Sequence, residues 1–71
     1  MVEFALEGHE YIALNDLLKV EGLCDSGGMA KSVIAEGQVT VDGAIEQRKR
    51  CKIRNGQVVE FAGHQIIIKA S

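Results

Sequence analysis

The chain has 71 residues, a net charge of −2 and neither Pro nor Trp. A domain of this size buries only about 60% of its unfolded surface, which leaves little room for a deep small-molecule pocket. No apolar run approaches the ~18 residues of a membrane span, and the start lacks the basic region of a signal peptide, so we expect a cytoplasmic protein with one domain over residues 1–71.

The first elements predicted along the chain are a short strand and a short helix. Phe4-Ala5-Leu6 predicts the strand, and a turn over residues 7–10 leads into Tyr11-Ile12. The spacing i, i+3, i+4 then marks one face of a helix, at Leu14, Leu17 and Leu18. Gly22 is placed to end this helix.

A second helix follows within a few residues. Ser26 is the preferred N-cap, because a serine oxygen can accept from a free N–H group of the first turn. The buried face repeats at Ala30, Val33 and Ile34. Gly37 ends the helix. Both helices are too short to be stable alone, so they must pack on each other or on a sheet.

The rest of the chain has the two-residue period of β-strands. Residues 39–41 alternate, and Asp42-Gly43 predicts a hairpin because a type I′ turn needs positive φ at both central residues. Residues 44–46 return as a strand, Asn55-Gly56 makes a tight turn, and two further strands follow, at 58–61 and 65–69 around a turn at 62–64. This order predicts an α+β fold with two short helices packed on a small twisted antiparallel sheet.

Positive charge is concentrated in residues 48–54, RKRCKIR, here called the basic segment. It contains five bases and no acid, whereas residues 1–30 contain six acids and one base. So many charges predict an exposed loop. Because charges beyond a Debye length of ~8 Å are screened, this local cluster matters more to a polyanion than the net charge does.

Lys31 extends the basic site onto the second helix. It is expected in the first helical turn, facing solvent, where free N–H groups already favour an anion. Gly27 and Gly28, in the turn before it, would let a phosphate approach the backbone closely. The competing explanation for the basic segment is a solvated loop, or a set of salt bridges to the acidic N-terminal half.

The ordered series of motifs resembles the RNA-binding domain named after small-subunit ribosomal protein S-four, also called the alpha-L motif, and especially its short stand-alone bacterial members. The resemblance is strongest over residues 12–61. The matching residues are Leu14-x-x-Leu17-Leu18-Lys19, Gly22-Leu23-x-x-Ser26-Gly27-Gly28-x-Ala30-Lys31, Ile34-x-x-Gly37-x-Val39-x-Val41-Asp42-Gly43, Glu46-x-Arg48-Lys49-Arg50-x-Lys52 and Asn55-Gly56-x-Val58-Val59-x-Phe61.

The resemblance implies a non-catalytic module that binds RNA through the second helix and the loop after the hairpin. The residues expected to bind RNA are Lys31, Arg48, Lys49, Arg50, Lys52, Arg54, Gly27 and Gly28. Two positions depart from the family pattern: Gly27 stands where many members have Arg, which removes one expected phosphate contact, and Asp42 stands where many have Asn.

Structured RNA is the expected partner, with ribosomal or transfer RNA as candidates. Phe61 is expected in the core and no aromatic stacking platform is evident, which argues against sequence-specific reading of single strands. We expect a monomer with no cofactor, no metal and no small-molecule substrate, and with Cys24 and Cys51 as free thiols. The alternative function is a protein-interaction module that uses the acidic N-terminal face and the basic segment.

Overall fold

Two helices and seven short strands make up the computed structural model, which describes residues 1–71. In chain order the elements are β1 (Val2–Ala5), β2 (Ile12–Ala13), α1 (Leu14–Val20), α2 (Gly27–Ala35), β3 (Val39–Val41), β4 (Ala44–Ile45), β5 (Lys52–Ile53), β6 (Val58–Phe61) and β7 (His64–Lys69). Neither helix is long and apolar enough to cross a membrane.

The N-cap of α2 and the ends of both helices lie where the sequence predicts. The hydroxyl oxygen of Ser26 accepts a hydrogen bond from the N–H group of Met29 at 3.1 Å, which confirms Ser26 as the N-cap of α2. Gly22 and Gly37, with φ of 75° and 78°, follow α1 and α2 in the left-handed conformation that ends a helix. The predicted apolar faces are buried, with Leu14, Leu17, Leu18, Ala30 and Ile34 fully inaccessible.

The strands form a five-stranded sheet in the order β1-β7-β6-β3-β4 and a separate two-stranded ladder of β2 and β5. The α+β class and the two helices are therefore confirmed. The larger sheet is mixed rather than wholly antiparallel, because β1 pairs with β7 in parallel, from Val2 opposite Ile66 to Ala5 opposite Lys69. A parallel pair needs a long crossover connection, and here nearly the whole chain lies between the two strands. No local sequence pattern therefore predicts the pairing of β1 with β7.

The hairpin between β3 and β4 turns at Asp42-Gly43, as predicted, with φ of 52° and 85°. The carboxylate of Asp42 adds a function that the sequence did not reveal. Its Oδ1 accepts a hydrogen bond from the N–H group of Val58 at 2.9 Å, which ties the turn to the start of β6. The Asp42 side chain therefore fastens the hairpin to its neighbouring strand.

A single cluster of 15 buried apolar residues lies between the helices and the sheets. It includes Ile53 from the two-stranded ladder and Phe61 from β6, which confirms the core position expected for Phe61. The cluster joins the ladder to the rest of the fold, so the basic segment that contains β5 is attached to the core.

Candidate nucleic-acid interface

The basic segment is a loop only over its first half. Residues 48–51 form a turn in which the N–H group of Cys51 donates to the carbonyl of Arg48 at 3.2 Å. Lys52–Ile53 is a strand, β5, and Ile53 is completely buried opposite Ile12 of β2. The prediction of a loop through to residue 54 is wrong here, because alternate side chains of a strand face opposite sides and one apolar residue among the bases suffices to enter the core.

Backbone hydrogen bonds hold the turn against the beginning of α1. The N–H groups of Leu14 and Asn15 donate to the carbonyls of Cys51 and Lys49 at 2.9 and 3.1 Å. The N-cap residue of α1, Ala13, offers no side-chain acceptor, so the turn supplies the acceptors that a capping side chain would otherwise provide. The cations of the segment are therefore carried on a backbone that is fixed to α1.

The chain that leads into the segment is fixed to the other helix. The side-chain amide of Gln47 donates to the carbonyl of Ala35, the last residue of α2, at 3.1 Å. That carbonyl is one of those left free at a helix C-terminus. The chain thus contacts the end of α2 just before the basic segment and the start of α1 within it. These contacts fix the segment relative to both helices.

Arg48 forms the only salt bridge in the structure. Its Nε and Nη2 atoms donate to Oε2 and Oε1 of Glu46 at 2.9 and 3.0 Å, and its backbone N–H donates to the same carboxylate at 3.0 Å. The hydrogen bonds from the Arg48 side chain, and then from its backbone, lower the pKa of Glu46 from the ordinary 4.5 to about 2. The same pairing raises the pKa of Arg48.

This ion pair changes the count of available charges. The basic segment contains no acid, but Glu46 lies two residues before it and neutralises Arg48. The remaining four bases of the segment are exposed and have no acidic partner: Lys49, Arg50, Lys52 and Arg54. The competing explanation, in which acids of the N-terminal half form salt bridges with the segment, is therefore wrong.

Tyr11 lies beside the last two cations of the segment. The Lys52 ammonium is 5.1 Å from the centroid of the Tyr11 ring, and the Arg54 guanidinium carbon is 5.5 Å from it. Tyr11 as a whole residue remains 40% exposed. Sequence reasoning gives Tyr11 no role beside the bases, because some 40 residues separate it from them and only strand pairing brings them together.

Lys31 is exposed, as predicted, although it lies in the second turn of α2 rather than the first, since the helix begins at Gly27. Residues four apart on a helix share one face, so Lys31 lies about 6 Å along the helix from Ala35. Ala35 is the residue whose carbonyl binds Gln47. This places Lys31 one helical turn from the chain that leads into the basic segment.

Gly27 and Gly28 are the first two residues of α2, not a turn before it. An added Cβ would meet nothing within 4 Å at Gly27 and only the Ser26 hydroxyl, at 3.9 Å, at Gly28. Neither glycine is needed for packing or for a left-handed conformation. Their effect is to leave the first N–H groups of the helix open to approach from solvent.

The cysteines are free thiols in sheltered positions. Cys24 is buried and Cys51 is half-buried. Burial raises the pKa of both thiols, with smaller contributions from the negative charges of Asp25 at Cys24 and Glu46 at Cys51. A raised pKa leaves a thiol protonated and poorly nucleophilic. No group of three or more His, Cys, Asp or Glu side chains is arranged to hold a metal ion.

Comparison with known proteins finds relatives that match three quarters or more of the chain. YbcJ of Escherichia coli strain K12, a candidate RNA-binding protein, is 57% identical over 70 residues, which are 99% of this chain and 100% of YbcJ. RlbA of Bacillus subtilis strain 168, a candidate ribosome maturation protein, is 39% identical over 54 residues, which are 76% of each protein.

A solved structure supports the same relationship. The solution structure of Escherichia coli YbcJ, described as an alfaL motif involved in RNA binding, matches with a TM-score of 0.76 and 57% identity, and the match covers 99% of this chain and 89% of that chain. The model of the S4 domain family matches residues 4–69, a longer stretch than the 12–61 over which the motifs are recognisable. The resemblance seen in the sequence is thereby confirmed, and the chain belongs to the S4 domain family.

Proposed function

We propose that this protein is a non-catalytic RNA-binding module that grips structured RNA through phosphate contacts from the basic segment and the beginning of α2. The observation that carries the proposal is the set of four exposed bases without acidic partners, on a turn and strand that are bonded to α1 and β2. Lysine and arginine at such positions neutralise phosphates and release counterions. Cations at these positions bind and orient RNA through its phosphates.

The geometry gives the basic residues different roles. Lys49 and Arg50 lie on the turn, while Lys52 projects from the outer side of β5 and Arg54 directly follows this strand. Arg48 contributes less to phosphate binding, because Glu46 occupies the side of its guanidinium that would grip a phosphate in bidentate fashion.

The beginning of α2 supplies the second part of the proposed surface. Lys31 adds one charge from the exposed side of the helix. Gly27 and Gly28 offer backbone N–H groups to a phosphate at the helix N-terminus. In this arrangement the helix fixes the orientation of the RNA, and the basic segment supplies most of the electrostatic attraction.

Structured RNA is the proposed target because backbone contacts of this kind recognise the shape of a helical stem rather than its base sequence. The solution structure of YbcJ is described as a motif involved in RNA binding, and RlbA is a candidate ribosome maturation protein. These descriptions favour ribosomal RNA over transfer RNA as the class to test first. We further propose that residues 1–71 act as one domain and as a monomer.

The decisive experiment compares two variants with the same change in net charge. Lys49→Gln/Arg50→Gln removes two exposed bases of the segment, and Lys69→Glu makes the same change of two in net charge at one exposed base at the end of β7. Affinity for a folded ribosomal RNA fragment is titrated at several salt concentrations. Loss of two phosphate contacts should make the slope of log K against log salt shallower by about 1.4–1.8 and lower the affinity about 25- to 60-fold at 0.1 M salt.

The control variant should bind within about threefold of the parent, and the melting temperatures of all three proteins should agree closely, since exposed charges contribute little to stability. Equal losses in both variants would mean that net charge and not the segment attracts RNA. If Lys49→Gln/Arg50→Gln is folded and binds as the parent does, the phosphate-contact function is overturned, and RNA-independent capture of one protein partner would then favour the protein-interaction function.

A further inference from the structure

We propose that the ring of Tyr11 stacks against one unpaired nucleobase of the bound RNA, while Lys52 and Arg54 hold the phosphates that flank this nucleotide. The inference rests on the proposed RNA-binding function and adds a contact that depends on a base rather than on charge. It identifies the target more narrowly, as folded RNA with at least one unpaired nucleotide, such as a single-nucleotide bulge, beside a helical stem.

Strand pairing places the three side chains on one outer surface. In the ladder of β2 and β5, Ile12 lies opposite Ile53 and Ala13 lies opposite Lys52. Continuing this register by one residue puts Tyr11 opposite Arg54. Because side chains alternate along a strand and Ile53 faces the core, Tyr11, Lys52 and Arg54 all lie on the other face, toward solvent.

Tyr11 is the aromatic residue of this chain that is free to receive a base. Phe61 is buried and Phe4 is half-buried, whereas Tyr11 remains 40% exposed beside two cations at 5.1 and 5.5 Å. A cation near an exposed ring is held weakly, because water competes for it. A base stacked on an aromatic side chain contributes about five- to a hundredfold in affinity. A base can therefore replace a cation at the ring. The released cation is then free to bind a phosphate.

An open groove of about 970 Å³ adjoins the Tyr11 ring and gives the base a place to enter. Its apolar lining includes Phe4 and Val20, and it also carries the carboxylates of Glu10 and Asp16. Carboxylates repel a phosphate but accept hydrogen bonds from the edge of a base. The groove therefore suits the base of a nucleotide, while the cations beside it suit the backbone.

The experiment uses an RNA hairpin with a single-nucleotide bulge and the same hairpin without the bulge. The parent should bind the bulged hairpin about five- to a hundredfold more tightly. Tyr11→Ala and Tyr11→Leu should abolish this preference, and Tyr11→Phe, which keeps an aromatic ring, should retain it. All variants should keep the salt slope of the parent, because the lost contact carries no charge.

The ring also reports its own environment, since Tyr11 is the only tyrosine and the chain has no tryptophan. Binding of the bulged hairpin should quench its fluorescence, and binding of the fully paired hairpin should not. Thermal melts establish that each variant is folded, and Tyr11→Leu preserves apolar cover over the ladder if Tyr11→Ala destabilises it.

The outcomes separate this inference from the function on which it rests. Salt-dependent binding by the parent with no preference for the bulge, or a preference that survives in Tyr11→Leu, would overturn the stacking contact alone. If the parent binds neither hairpin, both the RNA-binding function and the stacking contact are refuted.

Discussion

Replacing Glu46 with Gln should strengthen RNA binding by releasing the charge of Arg48. In the parent the carboxylate of Glu46 receives three hydrogen bonds from Arg48 and neutralises its guanidinium. A glutamine amide still has an oxygen that can accept the backbone N–H of Arg48, so the turn keeps its shape. The substitution therefore changes the charge of the pair while leaving its geometry nearly intact.

The magnitude follows from the number of free cations. Five bases contribute in the parent, namely Lys31, Lys49, Arg50, Lys52 and Arg54. At about 0.7–0.9 per phosphate contact, the slope of log K against log salt should be roughly −3.5 to −4.5. In Glu46→Gln, Arg48 adds a sixth contact, which should steepen the slope by about 0.7–0.9 and raise the affinity about five- to eightfold at 0.1 M salt, with the gain vanishing near 1 M.

The assay is a titration of one folded RNA at four or more salt concentrations, with two controls. Glu60→Gln makes the same change in net charge on β6, away from Arg48, and should alter the slope little. Glu46→Gln/Arg48→Gln removes the pair without changing the net charge and should restore the parental slope. An unchanged slope in Glu46→Gln, or an equal gain in Glu60→Gln, would refute the assignment of Arg48 as a neutralised cation.

Two further predictions concern the folded protein without RNA. The pKa of Glu46 is lower in the folded chain than in the unfolded chain, so its contribution to stability is complete above about pH 4.5 and is lost as the pH falls toward about 2. A carboxyl NMR titration should find a midpoint near 2 for Glu46 in the parent, and this midpoint should rise in Arg48→Gln. A midpoint near 4.5 in the parent would contradict the ion pair. Ala62→Asn should raise stability by about 0.5–1 kcal/mol, because Ala62 has a φ of 52° that asparagine tolerates better than alanine. Thermal melts should show a gain of roughly 2–8 °C, with RNA affinity unchanged, and an unchanged or lower melting temperature would exclude strain in this turn.

Several features of this protein were readable from the sequence because they depend on neighbouring residues. The helix limits follow from Ser26 as the N-cap and from Gly22 and Gly37 beyond the helix ends. The backbone groups at these ends form hydrogen bonds with partners only three to five residues away. The Asp42-Gly43 turn follows from its own backbone preference. The motifs that identify the family, and the position of the basic segment, are also contiguous in the chain.

Only the tertiary structure decided how the candidate site is arranged. Charge counting predicted an exposed loop over residues 48–54, but Ile53 enters the core because strand β2, some 40 residues earlier, is available to pair with it. Counting charges within the segment also missed the neutralisation of Arg48 by Glu46, since the sequence does not determine which neighbour the Arg48 side chain contacts.

The same reason explains Tyr11 and β1. Tyr11 comes beside Lys52 and Arg54, and β1 comes beside β7, through pairings between distant parts of the chain. Local preferences determined which segments became helices, turns and strands. The burial of a shared apolar core determined which strands paired, and therefore which of the bases remained free, which was neutralised and which acquired an aromatic neighbour.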